Sequence, residues 1–263
     1  MVMVLSAVAV GFMAGLFGIG GGLITVPVLF YIFSKLGLDR SYIMHLAVGT
    51  SFSIIIPTSF MSTLTHMKFK SVDFNIVKTF GLFVILGVII GTIFATGLKT
   101  KNLILFFSVV TMFFAGYFLF SREKKAKTKI KMNFPVKALC GFTSGFLSAP
   151  MGIGGGIINT PILRIFGYEI KKAIGSSAAI NLLISLTGAI GFAVSGNYLN
   201  INAPFSFGFI NIPAFLIFIP ITTFMAKIGA KTVHSFNKQI IGKLFGLFLI
   251  IISSRLFFEY LQF

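Results

Sequence analysis

The chain has 263 residues, of which 56% are hydrophobic and only 10% are charged, and its mean hydropathy is +1.00. A soluble domain carries about 25% charged residues, so this composition excludes an ordinary soluble protein. The net charge of +17 does not indicate nucleic-acid binding, because the basic residues are scattered between apolar segments, as in membrane proteins. With Cys140 as the only cysteine, an intrachain disulfide is also excluded.

Eight apolar segments follow one another along the chain. Six have about the 20 residues that one bilayer crossing needs, whereas the first and fifth are about half as long again. A hydrophilic, basic stretch from Ser121 to Lys137 separates four segments from four. We therefore predict an all-α polytopic membrane protein with a first repeat at 1–120, a cytoplasmic linker at 121–137 and a second repeat at 138–263. The segments run roughly over 2–33, 42–64, 79–98, 103–120, 136–166, 173–194, 205–226 and 244–263.

The two long segments contain the same motif. GIGGGLITVP begins at Gly18, and GIGGGIINTP begins at Gly152, 134 residues later. A second match, AVGTSFS from Ala47 and AIGSSAA from Ala173, has a spacing of 126 residues. Internal repeats of this kind are typical of secondary transporters.

Each motif is expected to interrupt its helix, because glycine clusters weaken helices and proline breaks them. In hydrocarbon, an irregular backbone is tolerated only where protein or a water-filled cavity satisfies it. We expect either a re-entrant hairpin or a broken long helix at each motif, with three further membrane-spanning helices in each half.

The distribution of basic residues favours the hairpins. If the first and fifth segments enter and leave on one side, 17 of the 22 basic residues lie on the side of the linker. If all eight segments cross, the basic residues divide into 11 and 11. Since cytoplasmic loops are enriched in lysine and arginine, we predict hairpins, a cytoplasmic linker and two repeats of inverted orientation.

The glycine motifs are candidate anion sites. Their amide N–H groups are not covered by side chains, and the start of a half-helix adds about half a positive charge. None of the five acids lies within either motif. The alternative is that the glycines only allow close helix packing, which we expect for Gly87, Gly91, Gly188 and Gly191.

Small polar side chains in the matched segments complete the predicted substrate site. Many serines and threonines in membrane helices only bond their own i−4 carbonyl, but asparagine is costly in lipid. The predicted substrate-binding residues are Gly18, Gly20, Gly21, Gly22, Thr25, Pro27, Thr50, Ser51, Gly152, Gly154, Gly155, Gly156, Asn159, Pro161, Ser176, Ser177 and Asn181.

The residues needed for a proton relay, a metal site or a dinucleotide-binding fold are absent from the expected positions. The acids lie near predicted segment ends or in loops, and the histidines are expected at the membrane interface, so no carboxylate relay is predicted. No cluster has metal-ligand spacing, and the glycines lack the strand that a dinucleotide fold requires. We predict that the chain is not an enzyme, has no catalytic residues and needs neither a metal nor another cofactor.

The doubled GxGGGxxxxP motif, which opens each half of a chain of this length, resembles the TauE/SafE sulfite exporter family of anion permeases. The resemblance covers essentially the whole chain. It implies transport of sulfur-containing anions, such as sulfite, sulfonates or sulfoacetate, across the cytoplasmic membrane of a prokaryote. It also implies that Gly18 to Gly22 with Pro27, and Gly152 to Gly156 with Pro161, are signature positions.

We therefore expect a multi-pass secondary transporter of the inner (cytoplasmic) membrane, working by alternating access around a site near the midplane. An anion channel using the same donors is the alternative. The expected partners are a small organic or inorganic anion and the lipid bilayer, without nucleic acid. The sequence leaves the oligomeric state open, a homodimer being one arrangement.

Overall fold

The structure is a computed structural model that describes residues 2–17, 21–120, 133–201, 203–232 and 238–263. These residues form ten helices and one short antiparallel hairpin of strands. The helices are α1 (Val2–Phe17), α2 (Gly22–Lys35), α3 (Ile43–Lys68), α4 (Phe74–Gly97), α5 (Thr100–Phe120), α6 (Phe134–Met151), α7 (Gly156–Ile165), α8 (Ile170–Tyr198), α9 (Ile212–Thr232) and α10 (Lys238–Gln262), and the strands are β1 (Ser206–Phe207) and β2 (Ile210–Asn211).

The long helices have the length and apolar composition of membrane spans. Within the described residues, α3, α4, α5, α8 and most of α10 meet both conditions, and α9 contains a shorter apolar stretch, Ile212–Ile228. A helix rises about 1.5 Å per residue, so roughly 20 residues cross the hydrocarbon core. The protein is therefore a polytopic, all-α membrane protein, as predicted.

The helices pack with a twofold pattern that relates α1–α5 to α6–α10. The α4–α6 contact has its counterpart in the α9–α1 contact, α4–α8 in α9–α3, and α2–α3 in α7–α8. Two further pairs, α3 with α8 and α5 with α10, join equivalent helices to each other. The two halves thus interlock rather than stand side by side.

Helix α3 runs antiparallel to its equivalent, α8. Gly49, near the start of α3, lies against Phe192, near the end of α8, whereas Ser59 lies further along α3 and contacts Ser185, earlier in α8. Helices α5 and α10 are antiparallel as well, because Lys101, at the start of α5, lies over the ring of Tyr260, near the end of α10, while Phe118, near the end of α5, makes an edge-to-face contact with Phe245, early in α10. Equivalent helices that are antiparallel relate the repeats by inversion, which confirms the predicted arrangement.

The chain turns back between α6 and α7. The hydroxyl of Ser144 on α6 donates to Oδ1 of Asn159 on α7 at 2.5 Å, although 15 residues of continuous helix would separate these positions by about 22 Å. Further along, Gly155 lies against the Ser148 hydroxyl. The second long segment is therefore a hairpin whose tip is the glycine quintet.

The neighbouring helices agree with this reversal. Helices α6 and α8 both run parallel to α4, whereas α7 runs antiparallel to α8, since the Thr160 hydroxyl donates to Ser177 at 3.0 Å while Gly156 lies against Asn181. These directions place the ends of α5, α7 and α9 on the face where α6, α8 and α10 begin. Among the basic residues that the structure describes, five are then left on the opposite face: Lys35, Arg40, Lys99, Lys101 and Arg255.

The first helix of the second half overlaps the range 121–137 that was predicted as linker. Helix α6 starts at Phe134, within the predicted linker, because Asn133 is its N-cap and a proline follows in the first turn. In the first repeat, α1 ends at Phe17 and α2 begins at Gly22. The residues Gly18, Ile19 and Gly20 lie outside the described part of the chain.

One insertion breaks the twofold pattern. Between α8 and α9 the second repeat carries the hairpin of β1 and β2, at the place where residues 69–73 join α3 to α4. The ring of Phe209 in this hairpin is 1% exposed and packs on His45 at 5.2 Å and on Phe192 at 6.2 Å between ring centroids. The hairpin therefore seals the α3–α8 contact on the face opposite the linker.

Candidate functional site

The fourth residue of each glycine motif has a left-handed backbone conformation and is the N-cap of a half-helix. Gly21 is the N-cap of α2 with φ 81°, and Gly155 is the N-cap of α7 with φ 71°. These positions are equivalent in the two repeats. Only glycine adopts positive φ without a steric cost, so the backbone geometry itself requires glycine at both N-caps.

The first turns of these half-helices present free donors. The Gly21 carbonyl accepts from the amides of Ile24 and Thr25, both at 2.9 Å, and the Gly155 carbonyl accepts from the corresponding amides of α7. The N–H groups before them, including those of Gly22 and Gly156, have no intrahelical partner, and no side chain caps either helix. Such an end concentrates positive potential and binds anions.

The start of α2 touches the tip of the second hairpin. A Cβ on Gly22 would overlap the carbonyl oxygen of Gly152, so the backbones touch here without an intervening side chain. The hydroxyl of Ser51 on α3 donates to the same Gly152 oxygen at 2.9 Å. This contact brings the start of α2 beside the second glycine quintet.

Two asparagines line the second tip. Asn159 is 0% exposed and Asn181 is 5% exposed. The Nδ2 atom of Asn159 lies 2.9 Å from the position of a Cβ on Gly155, and Nδ2 of Asn181 lies 2.9 Å from the corresponding position on Gly156. Both carboxamides therefore contact the bare face of the glycine motif.

Each carboxamide has one buried atom without a hydrogen-bond partner among the described residues. These atoms are the donor Nδ2 of Asn159 and the acceptor Oδ1 of Asn181. Leaving a buried polar group unpaired costs about 1–3 kcal/mol, so such groups indicate a site that another molecule completes. The donor belongs to the carboxamide beside Gly155, and the acceptor belongs to the carboxamide beside Gly156 at the start of α7.

The first motif offers less at the equivalent positions. Thr25 replaces Asn159, and its hydroxyl donates to the Gly21 carbonyl at 3.0 Å, which leaves it no proton for a ligand. Ile55 replaces Asn181. Pro27 and Pro161 each lie six residues into their half-helices and lack the N–H that would bond the carbonyl of Leu23 or Ile157. The structure thus makes the second tip the more polar one.

Thr50 and Ser176 lie at the junction between repeats, away from the glycines. The Thr50 hydroxyl accepts from the Asn211 amide at 2.9 Å, and the Ser176 hydroxyl accepts from the Asp73 amide at 3.0 Å. Asp73 and Asn211 are equivalent positions just before α4 and α9. These matched bonds fasten each repeat to the other. The Ser177 hydroxyl accepts a hydrogen bond from the Thr160 hydroxyl on α7.

The sequence did not reveal several polar residues near the site. Ser144 and Ser148 lie on α6, both 0% exposed, and orient Asn159 and the hairpin tip. They lie in the segment GFTSGFLSAP, and the aligned segment of the first repeat has no hydroxyl side chain at either position. Comparison of the repeats therefore could not identify them. Ser59 and Ser185 do share the spacing of 126 residues, which was a usable signal.

The described acids lie at helix ends and in loops. Asp73 and Glu169 are the N-caps of α4 and α8. Asp39 lies in the loop before α3, where the Ser41 amide holds the pKa of its carboxyl below the usual value. Glu259 lies near the end of α10, and Glu123 lies outside the described residues. In the described part of the chain, no three histidine, cysteine or acidic side chains come close enough to hold a metal ion.

The family model for the sulfite exporter TauE/SafE matches residues 3–256 of this chain. The chain belongs to the TauE/SafE family. A probable membrane transporter protein of Haemophilus influenzae is 32% identical over 249 residues, which cover 95% of this chain and 94% of that protein.

More distant TauE/SafE relatives bear the same description. A probable membrane transporter protein of Methanocaldococcus jannaschii is 29% identical over 84% of this chain and 82% of its own length. The Bacillus subtilis protein YunE, also a probable membrane transporter, is 25% identical over 98% and 97%. No solved structure matches the chain. Membership makes the chain a membrane transporter, and its substrate and mechanism are considered next.

Proposed function

We propose that this TauE/SafE protein is a secondary transporter that moves a small, sulfur-containing anion, such as sulfite, a sulfonate or sulfoacetate, across the cytoplasmic membrane. One observation carries the proposal: the uncapped start of α2 touches the second hairpin tip where Gly22 meets Gly152, four residues before the uncapped start of α7 in the inverted repeat. Two half-helix starts that belong to neighbouring segments favour an anion with several oxygen acceptors.

The surroundings suit weak and reversible binding. The described residues of both tips include neither lysine, arginine nor acid, so the anion meets no carboxylate and no cation that would hold it tightly. Amides, hydroxyls and the Asn159 carboxamide supply neutral donors. A transporter must release its substrate on the far side, and neutral donors bind an anion less tightly than a buried ion pair would.

Alternating access is supported by the inverted repeats and by the unequal faces of the α3–α8 contact. On the face opposite the linker, Phe52, Phe192 and Phe209 form a continuous aromatic contact. Towards the linker face, the same helices meet through the hydroxyls of Ser59 and Ser185. Because the repeats are inverted, exchanging their conformations would open one face and close the other.

Flux in proteoliposomes tests this function. Purified protein should take up radiolabelled sulfite with a saturable rate, and unlabelled anion inside the vesicles should accelerate the uptake by exchange. Conductance far above carrier turnover would instead identify an anion channel. Absence of any flux of sulfite, sulfonates and sulfoacetate, in vesicles shown to contain folded protein, would contradict the proposed function.

A further inference from the structure

The second hairpin tip combines an unpaired acceptor with its unpaired donors. An inorganic oxyanion without a proton offers only acceptors. Such a ligand satisfies Asn159 Nδ2 and the amides of Gly156 and Ile157, but it leaves Oδ1 of Asn181 buried beside a negative charge. The buried, unpartnered state of this Oδ1 therefore points to a hydrogen-bond donor on the ligand.

The geometry around Asn159 fixes which of its atoms faces the ligand. The Ser144 hydroxyl donates to Oδ1 of Asn159, and Ser148 on the next turn of α6 donates to the Ser144 carbonyl at 2.7 Å. Asn159 is thereby held with its Nδ2 donor towards Gly155. The anionic group of a ligand consequently belongs on the side of Asn159 and the α7 amides.

Asn181 lies across the same glycines. Its Cβ and Cγ lie 3.3 Å from the position of a Cβ on Gly154, and its Nδ2 lies against Gly156. A ligand seated on the α7 start thus contacts the Asn181 carboxamide within one or two atoms of the anionic group. The first repeat has Ile55 at this position, so the acceptor belongs to the second tip alone.

From these contacts we propose that Asn181 is a specificity residue, which selects anions bearing an N–H or O–H group on or near the oxyanion. This inference rests on the proposed function and refines it. An analogue without the donor leaves the buried acceptor unpaired. One such group changes affinity about 10- to 100-fold.

Matched ligands of equal charge test the proposal. Sulfamate carries an N–H donor where methanesulfonate has a methyl group, and 2-hydroxyethanesulfonate carries an O–H donor where propane-1-sulfonate has a methyl group. Dissociation constants for these four anions and for sulfite are to be measured by calorimetry on the purified protein in detergent. We expect the donor-bearing member of at least one pair to bind about 10-fold tighter or more.

The variant Asn181→Ile introduces the residue that the first repeat carries at the equivalent position. It should lose the preference within the selective pair while retaining the affinity for the donor-free member within about threefold. Asn181→Ala provides the same test if the isoleucine variant does not fold. Asn197→Ile, an exposed position near the end of the same helix, is the matched control and should keep the wild-type preference.

The outcomes separate the two claims. Loss of the preference in the Asn181 variants, but not in the control, supports the specificity role. Equal binding of the two members within both pairs overturns the specificity role, and this is the result expected if the Asn181 carboxamide rotates to present Nδ2. A preference that survives in Asn181→Ile also overturns it. In either case, sulfite binding by the wild-type protein leaves the proposed function standing. Absence of binding by all five anions overturns both.

Discussion

Ser59 and Ser185 occupy equivalent positions in the two repeats, and their hydroxyl oxygens lie 3.5 Å apart. A residue can approach its own counterpart this closely only near the twofold axis that relates the repeats. The contact is buried, with exposures of 4% and 0%, and lies where α3 and α8 cross. This pair therefore marks the axis about which the two repeats are expected to exchange conformations.

A disulfide across the axis tests this packing. In a background with Cys140→Ser, the double variant Ser59→Cys and Ser185→Cys should form a crosslink on mild oxidation, because side chains this close are within disulfide reach. A protease site in the linker makes the crosslink visible, since only linked halves stay together on a denaturing gel. Thr65→Cys with Ser185→Cys, which uses an exposed position on α3, should remain unlinked. Halves that separate in both variants would contradict the contact.

Alanine substitutions at different glycines of the second quintet should have different effects on stability and on anion affinity. Gly155 has φ 71°, and its Cβ would meet Ile184, so Gly155→Ala should lower stability by about 1–2 kcal/mol and the melting temperature by roughly 2–8 °C. Gly21→Ala, with φ 81°, should behave alike.

Gly154 has ordinary backbone geometry, and its Cβ would lie 3.3 Å from Asn181 and Ile55. Gly154→Ala should therefore melt within a few degrees of wild type but bind sulfite about 10- to 100-fold more weakly. Gly116→Ala, where a Cβ meets nothing within 4 Å, should change neither property. Wild-type affinity in Gly154→Ala, measured by calorimetry beside thermal melts, would show that the glycines serve packing alone.

The acids should be dispensable for transport. Asp73 Oδ1 accepts from the amides of Asn75 and Ile76 at 3.0 and 3.3 Å, and asparagine caps a helix as well as aspartate does. Asp73→Asn should therefore keep both stability and flux, whereas Asp73→Ala should lose about 1 kcal/mol of stability. Amide replacement of Asp39, Glu123, Glu169 or Glu259 should also leave flux. Complete loss of coupled transport in one well-expressed amide variant would reveal a proton or cation site.

Cysteine labelling tests which face is cytoplasmic. In the Cys140→Ser background, Asn197→Cys at the exposed end of α8 should react with an impermeant maleimide in intact cells. Lys124→Cys in the basic linker should react only after the membrane is opened, because 17 of the 22 basic residues are predicted on the linker side, and the side rich in lysine and arginine is expected inside. If both cysteines react in intact cells, the two positions lie on one face and the inverted arrangement is wrong.

Charge and repetition in the sequence were sufficient to predict the hairpin of the second repeat and the inversion. The Gly18 and Gly152 motifs identified the breaks, and the basic residues distinguished hairpins from full crossings. The insertion that places Phe209 against His45 was not predicted, because SFGFIN was assigned to the apolar segment 205–226 and has no counterpart in the first repeat, whereas the structure begins α9 only at Ile212. His45, expected at the interface, is buried at 3% exposure.

The candidate site was predictable at the backbone level but not in the roles of its side chains. The left-handed conformation of Gly21 and Gly155 follows from the glycine clusters. The hydrogen bonds that Thr50 and Ser176 accept from the segments before α9 and α4 depend on contacts more than 100 residues apart. Composition and spacing cannot distinguish a hydroxyl that joins two repeats from one that lines a pathway.

We expect the anion to bind at the second hairpin tip, beside the start of α2. A crystal structure with selenite in place of sulfite is the decisive measurement, because the anomalous signal of selenium locates the anion independently of the protein density. Selenium should lie within about 4 Å of the Gly156 or Ile157 amide and of Asn159 Nδ2, with anion oxygens at hydrogen-bond distance. Selenium at a site remote from both Gly21–Gly22 and Gly152–Gly156 would contradict it.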